Sequence, residues 1–322
     1  MAHSREDPPA EVPLVVDRSE AGWRLDAFLA RRKLSPSTAA ARRAVASGAV
    51  RVNGRVARKG VHLQPGDAVD MSGGPAADTV LVPTPELDLS VLYQDGDIVA
   101  VDKPAGVHTH PLRPGDEATV AGALIARYPE CAAASPDPRE GGLGHRLDVG
   151  TSGVLLAGRS RETWYRLRAA LASAMCEKIY LAEISGRFPA GGGDPDDFVV
   201  PGPRPPGSFV VTAPIGRRGR HGGRVKLASG RQPLPARTEI TLIEEREASA
   251  LVEARLSRGR AHQVRAHLAY LGIPVKGDPI YGQPDASANL HLHAWAVSLL
   301  HPITGKPLRI EAPLPAWARR RI

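Results

Sequence analysis

An α+β fold in two parts follows from three features of the sequence. Strands and helices do not alternate regularly, so the larger C-terminal part is expected to form a domain around a mixed or antiparallel sheet with flanking helices. A short basic stretch near the N-terminus reads helix, helix, hairpin, which makes a small α+β module of its own. Length agrees, because 322 residues are about two domains at roughly 150 residues each. The expected organisation is a disordered tail over 1–11, the small module over 12–74, a linker over 75–90 and the large domain over 91–322.

In the module, Leu25, Phe28 and Leu29 fall at helical spacing, and Ser35-Pro36-Ser37 breaks the chain and caps a second helix from about Thr38 to Ser47, stopped by Gly48. Val50 and Val52 alternate, Asn53-Gly54 signals a tight turn, and Val61 to Val69 continue around a second turn at Gly66-Asp67. Gly73 to Leu87 is rich in small residues, Pro and Gly, and reads as linker. Beyond it, Asp97 to Val101 is expected as a buried strand, with helices opened by Thr119 and Ser160. In the strand around Ile179 and Leu181, Tyr180 points to the face opposite those aliphatics. Further strands are expected at about 238–244, 249–256 and 290–299, and a helix at about 261–271. Two segments read as irregular: Pro189 to Gly207, dense in Gly and Pro, and Gly216 to Pro235, with six basic residues and no acid.

Composition excludes several classes. Hydrophobic residues make up 42% and charged residues 24%, as in ordinary globular chains. No apolar run approaches the ~18 residues of a membrane helix, and Met1 to Val12 lacks the apolar core of a signal peptide, so a cytoplasmic protein without a membrane partner is expected. Two cysteines, Cys131 and Cys176, without a CxxC pair, make neither a disulfide framework nor a zinc knuckle. The net charge is +8, and Val12 to Gly74 holds eleven basic and five acidic residues. That concentration predicts an anionic partner such as nucleic acid, met by Arg42, Arg43, Arg51, Arg55, Arg58 and Lys59.

His145-Arg146-Leu147-Asp148, followed by Thr151-Ser152-Gly153, is the densest polar cluster in the chain, placed between a Gly-rich approach and the apolar Val154, Leu155 and Leu156. A carboxylate fixed on a turn beside hydroxyls and an Arg suits a nucleophile or general base, or an Asx-turn in which Asp148 caps backbone amides. A hydrolase triad of His145, Asp148 and Ser152 is disfavoured by their closeness in sequence and by the absence of a GxSxG elbow. A metal site is disfavoured too: His291 and His293 alternate on a strand without a nearby carboxylate pair, and HExxH is absent.

Two resemblances sharpen this reading. Arg24-Leu25-Asp26 through Gly48, Arg51-Val52-Asn53-Gly54 and Pro65-Gly66-Asp67 resemble the alpha-L RNA-binding domain, although Ser35-Pro36 stands where that family often has Ser-Arg. Gly144 to Gly153 matches the HRLDxxTSG motif of the RluA family of pseudouridine synthases. Asp102 to Gly106 is similar to that family's KPxG segment, Lys178 to Ala182 to its KxYxA strand, and Gly259 to Leu268 with Gly277 to Gly282 to its GRxHQIRxH and GDxxYG pair. The resemblance implies a cofactor-independent, metal-free isomerisation of uridine in structured RNA, ribosomal RNA being favoured and tRNA the alternative. By the same resemblance, Asp148 would act on the ribose as nucleophile or base. Tyr180 would stack on the base and help to remove the proton from the new carbon linkage, and Arg265 would pair with the aspartate. Arg146 would fill the gap left by a flipped nucleotide, and His145 would be a structural hydrogen-bonder. A non-catalytic RNA-binding or ribosome-assembly protein with a degenerate synthase domain is the competing class.

Overall fold

The computed structural model describes residues 14–35, 37–46, 48–71, 81–112, 116, 118–189, 198–203, 207–216, 227, 233–282 and 289–319. The expected tail over 1–11 lies outside these residues, as does most of the basic segment from Gly216 to Pro235. The chain divides into two compact units, Met1–Val80 and Leu81–Ile322.

The first unit holds helices α1 (Leu25–Arg31) and α2 (Thr38–Ala46) and strands β1 (Leu14–Val15), β2 (Arg51–Val52), β3 (Arg55–Val56) and β4 (Ala68–Asp70), in the sheet order β1-β4-β2-β3. Its core is built from Leu25, Phe28 and Leu29 of α1, Ala41 and Val45 of α2, and Val50, Leu63 and Val69. Fully burying a Phe or Leu contributes about 1.5–3 kcal/mol, which is how so short a stretch sustains its own core. The β2–β3 turn needs left-handed backbone at both central positions, and Asn53 (φ 53°) and Gly54 (φ 75°) supply it. Asn53 also ties the two turns together, donating to Asp67 at 2.8 Å and accepting from the Ala68 amide at 2.8 Å. Strand β1, which pairs Leu14 with Val69, was not expected: two residues are too few to show a period.

The second unit is organised by one sheet containing β5 (Val91–Gln94), β6 (Ile98–Lys103), β7 (Ser152–Gly158), β8 (Glu177–Ser185), β9 (Val199–Pro201), β10 (Ser208–Val211), β11 (Thr238–Glu245), β12 (Ser249–Leu256), β13 (Leu292–Leu300) and β14 (Pro307–Glu311). The order is β5-β6-β7-β13-β8-β12-β11-β10-β9, with β14 also on β13. The pairing of β13 with β7 is parallel and the others are antiparallel, so the sheet is mixed, as expected. Helices α3 (Val120–Arg127), α4 (Arg161–Ala172) and α5 (Gln263–Tyr270) flank it. Thr119 and Ser160 cap α3 and α4, each side chain accepting an amide of the first turn.

Two expectations are corrected. The linker does not reach residue 90: Leu81 and Leu89 are 5% and 6% exposed in the core beside α3, and the Thr84 amide donates to the Gly122 carbonyl at 3.1 Å. Small and Pro-rich sequence ends there because apolar residues return at near-regular spacing and find a surface to cover. Within the segment expected to be irregular, Val199–Pro201 forms β9 against β10. Its Pro sits on an edge strand, where a missing N–H is tolerated.

Candidate active site

The loop from Gly144 to Thr151 leads into β7 and is fixed residue by residue. Thr109 Oγ1 donates to the Leu147 carbonyl at 2.8 Å and accepts the Leu147 amide at 3.2 Å. Lys103, fully buried at the end of β6, donates to the carbonyls of Pro104, Val149 and Thr151 at 2.9, 3.0 and 2.8 Å. The Gly106 amide reaches the Val149 carbonyl at 2.8 Å, and the Thr151 amide closes a turn on the Asp148 carbonyl at 3.0 Å. The backbone on both sides of Asp148 is therefore anchored while its side chain faces the adjoining cleft. Gly153 has φ +110°, and a Cβ there would stand 2.2 Å from the Ala294 carbonyl oxygen of β13, so only glycine lets β7 approach its parallel partner.

Asp148 Oδ2 accepts from Arg265 Nη1 at 2.8 Å, and His262 Nε2 lies 3.7 Å from the same oxygen. The carboxylate's partner is a side-chain cation, which argues against the Asx-turn reading. Arg265, on α5, gives its remaining fork to Asp278, with Nε and Nη2 each 2.7 Å from a carboxylate oxygen. Asp278 is held in turn by the amides of Ile280 and Tyr281 at 2.9 and 3.1 Å. Burial works to neutralise Arg265, but the bonds and charges of Asp278 and then Asp148 outweigh it and hold the guanidinium charged. Burial likewise works to raise Asp278, and Arg265 overrides it, so that carboxyl lies below its ordinary range. The side chain of Asp148 is 22% exposed and that of Asp278 is 0% exposed. Only Asp148 is open to a substrate.

Tyr180 lies on β8 between Ala254 of β12 and Ala294 of β13. The small neighbours leave room for its ring, which packs against the two largest cores where they meet. Burial, then the charge of Asp148, pushes the phenol well above its usual range, so the hydroxyl keeps its proton. His145 Nε2 accepts the Leu156 amide at 3.2 Å, and burial takes its imidazole down to about 3, leaving it neutral. That is the expected structural role. Ser152 bonds His293 Nδ1 at 2.8 Å rather than His145, so the three residues of the hydrolase reading do not form a relay.

These groups line a cleft of about 730 Å³ whose cations, among the described residues, are Arg146, Arg168, Lys178, Arg258, Arg260 and Arg265, and whose one carboxylate among them is Asp148. Arg146 is exposed at its edge. Such a wall attracts a polyanion. Among the described residues, Asp95, Asp97 and His301 have metal-ligand spacing, but they stand outside this cleft. Both His301 nitrogens are engaged there, Nδ1 by the Ile303 and Thr304 amides and Nε2 by Asp95.

Residues 97–270 match the RNA pseudouridylate synthase family, and residues 23–69 match the S4 domain. The chain belongs to the RNA pseudouridylate synthase family. This synthase is 33% identical over 323 residues to the ribosomal large subunit pseudouridine synthase D of Xanthomonas campestris pv. campestris, covering 95% of this chain and 90% of the relative. It is 31% identical over 314 residues to the protein of the same name from Nitrosomonas europaea, covering 94% and 85%. In fold it is similar to the human RNA pseudouridylate synthase domain containing 1, with a TM-score of 0.53 at 23% identity, covering 71% of this chain and 84% of that one. The synthase is an enzyme that isomerises uridine in RNA, carrying an N-terminal S4 module of the expected RNA-binding kind.

Of the sequence-predicted residues, Asp148, Arg265, Tyr180 and Arg146 meet at the cleft. Arg51, Arg55, Arg58 and Lys59 are exposed on the S4 unit. Arg42 is half exposed and pairs with the buried Asp26, which Arg24 also holds, and Arg43 lies on the same helix. Sequence reasoning gave no role to Lys103, Thr109, His262 or Asp278. Lys103, His262 and Asp278 sit inside quoted motifs, and that membership was their only signal, because their burial shows only in the fold.

Proposed function

We propose that this synthase modifies large-subunit ribosomal RNA in the cytoplasm, using Asp148 as its reacting carboxylate and no cofactor. The observation that carries the reading is a partly open carboxylate, alone of its kind among the described residues of a cation-lined cleft, oriented by Arg265. Asp148 acts on the ribose, by adding to the anomeric carbon or by taking a proton from its neighbour. Either route breaks the bond from ribose to ring nitrogen. The freed uracil turns and rejoins through a ring carbon, a step that releases Asp148 from the anomeric carbon on the first route or returns the ribose proton on the second, and that ring carbon gives up a proton as the ring nitrogen takes one. No electron or atom is gained or lost.

Tyr180 stacks on the base and, because its hydroxyl stays neutral, serves as a donor rather than as a base. Arg146 occupies the gap left by the flipped nucleotide, offsetting part of the few kcal/mol that flipping costs. The S4 residues Arg42, Arg43, Arg51, Arg55, Arg58 and Lys59 contact phosphates. The ribosomal target rests on the names of the relatives and on the basic module. Mapping pseudouridine in total RNA from cells with and without the protein tests it. Loss confined to large-subunit RNA is expected, whereas loss confined to tRNA would overturn the choice of substrate.

A further inference from the structure

Helix α4 has two faces. Thr163, Trp164, Leu167 and Leu171 are buried, and Arg161, Tyr165, Arg168 and Ala172 are exposed. Spacings of four, three and four residues place the exposed set along one stripe of the helix. Its C-terminal end belongs to the cleft: Arg168 and Ala172 line it together with Arg258, whose Nε donates to the Ala172 carbonyl at 3.0 Å. Further along, Tyr165 is 54% exposed. Its ring stands edge-on to the buried Trp164, with centroids 5.0 Å apart and planes at 79°. The Arg168 guanidinium lies 5.1 Å from the Trp164 ring centroid. One buried indole thus steadies both an exposed aromatic and a cation on the cleft wall.

A fixed aromatic face between two cations is what a single-stranded nucleic acid uses: bases stack on the ring and phosphates meet the guanidinium groups. At 1.5 Å per residue, Tyr165 stands about 10 Å along the helix from Ala172, a reach suited to nucleotides beside the one in the cleft. We infer that the α4 stripe of Arg161, Tyr165 and Arg168, continued by Arg258, is a second RNA-contact surface that carries the strand flanking the target uridine, with Tyr165 as its stacking platform. Continuity with the cleft and the matching charge identify the occupant as the substrate strand. Arg166, by contrast, faces away from the stripe and is paired with Glu162 at 2.8 Å. The inference rests on the RNA-substrate reading and adds to it a surface outside the reacting groups.

The test is binding of a labelled oligouridine to the full chain, with a 4-thiouridine version for photocrosslinking. Tyr165→Ala should weaken binding roughly 5- to 150-fold, the range for one base–aromatic stack, and Tyr165→Phe should restore it. Arg168→Ala should flatten the log–log salt dependence by about 0.7, one single-strand phosphate contact, while Arg166→Ala should not. Crosslinks should map to the peptide containing 161–172. If Tyr165→Ala and Arg168→Glu, folded by circular dichroism, bind oligouridine as tightly as the wild type and no crosslink falls in α4, the surface is not an RNA contact. Pseudouridine formation by the wild type is scored separately, so failure of this surface is distinguishable from failure of the activity itself.

Discussion

Arg265 holds two carboxylates that differ in bonding and in burial: Asp278 takes a bidentate fork in full burial, and Asp148 takes the remaining N–H with its side chain partly open. Their substitutions should therefore separate. Asp148→Asn should abolish pseudouridine formation while keeping RNA affinity, because shape is retained and the reacting oxygen is lost; measurable product from this variant would remove Asp148 from the reacting role. Asp278→Asn should lower folding stability by about 3 kcal/mol, since it leaves a buried cation short of charge, and should slow turnover by loosening Arg265. Urea melts read the first effect. Tyr180→Phe keeps the ring and its packing but removes the donor, so single-turnover rates should fall about 100-fold; an unchanged rate would leave only the ring with a function.

The element that matters most is the loop before β7, clamped from β6 by Lys103. Three carbonyls face that ammonium, and burial brings it down to about 8 against the opposing charges of Asp148 and Asp102. A neutral amine has only two hydrogens, so turnover should decline as pH rises through about 8, when one carbonyl loses its donor. Global stability should move the other way: burying the charge is unfavourable below about 8, and that penalty is relieved between there and the unfolded value near 10.4. A flat rate profile across this window would mean that the clamp does not depend on charge. Lys103→Met should reduce kcat by up to about 100-fold, the effect of misplacing a reacting group by an ångström or so. At the far end of the same loop, Gly153→Ala sets a methyl against the Ala294 carbonyl at positive φ and should destabilise by more than about 3 kcal/mol.

On the scale of the molecule, the two units predict different truncations. Removing residues 1–80 should leave the catalytic unit folded, flatten the salt dependence of RNA binding and reduce affinity more than saturating turnover. Removing 1–90 takes Leu81 and Leu89 out of the core beside α3 and should lower the melting temperature as well, by the loss of roughly 1.5–3 kcal/mol per buried leucine. If the first truncation keeps the affinity and salt slope of the whole chain, the S4 unit does not hold substrate RNA.

The sequence by itself determined the mixed α+β class, the small basic module, the capped helices at Thr119 and Ser160, and the motif residues Asp148, Tyr180 and Arg265. Each of these is written in local pattern: period, cap, turn residue or ordered motif. Tertiary structure alone decided the rest. Strands β1, β9 and β14 are short or sit on edges, so what makes them strands is the partner beside them. The linker boundary depended on whether Leu81 and Leu89 found a core, which composition does not record. Lys103, Thr109 and Asp278 act on Asp148 and Arg265 across separations in the chain that only folding closes. A buried lysine or aspartate has no sequence signature of its own: its meaning lies in which carbonyl or guanidinium the fold sets against it.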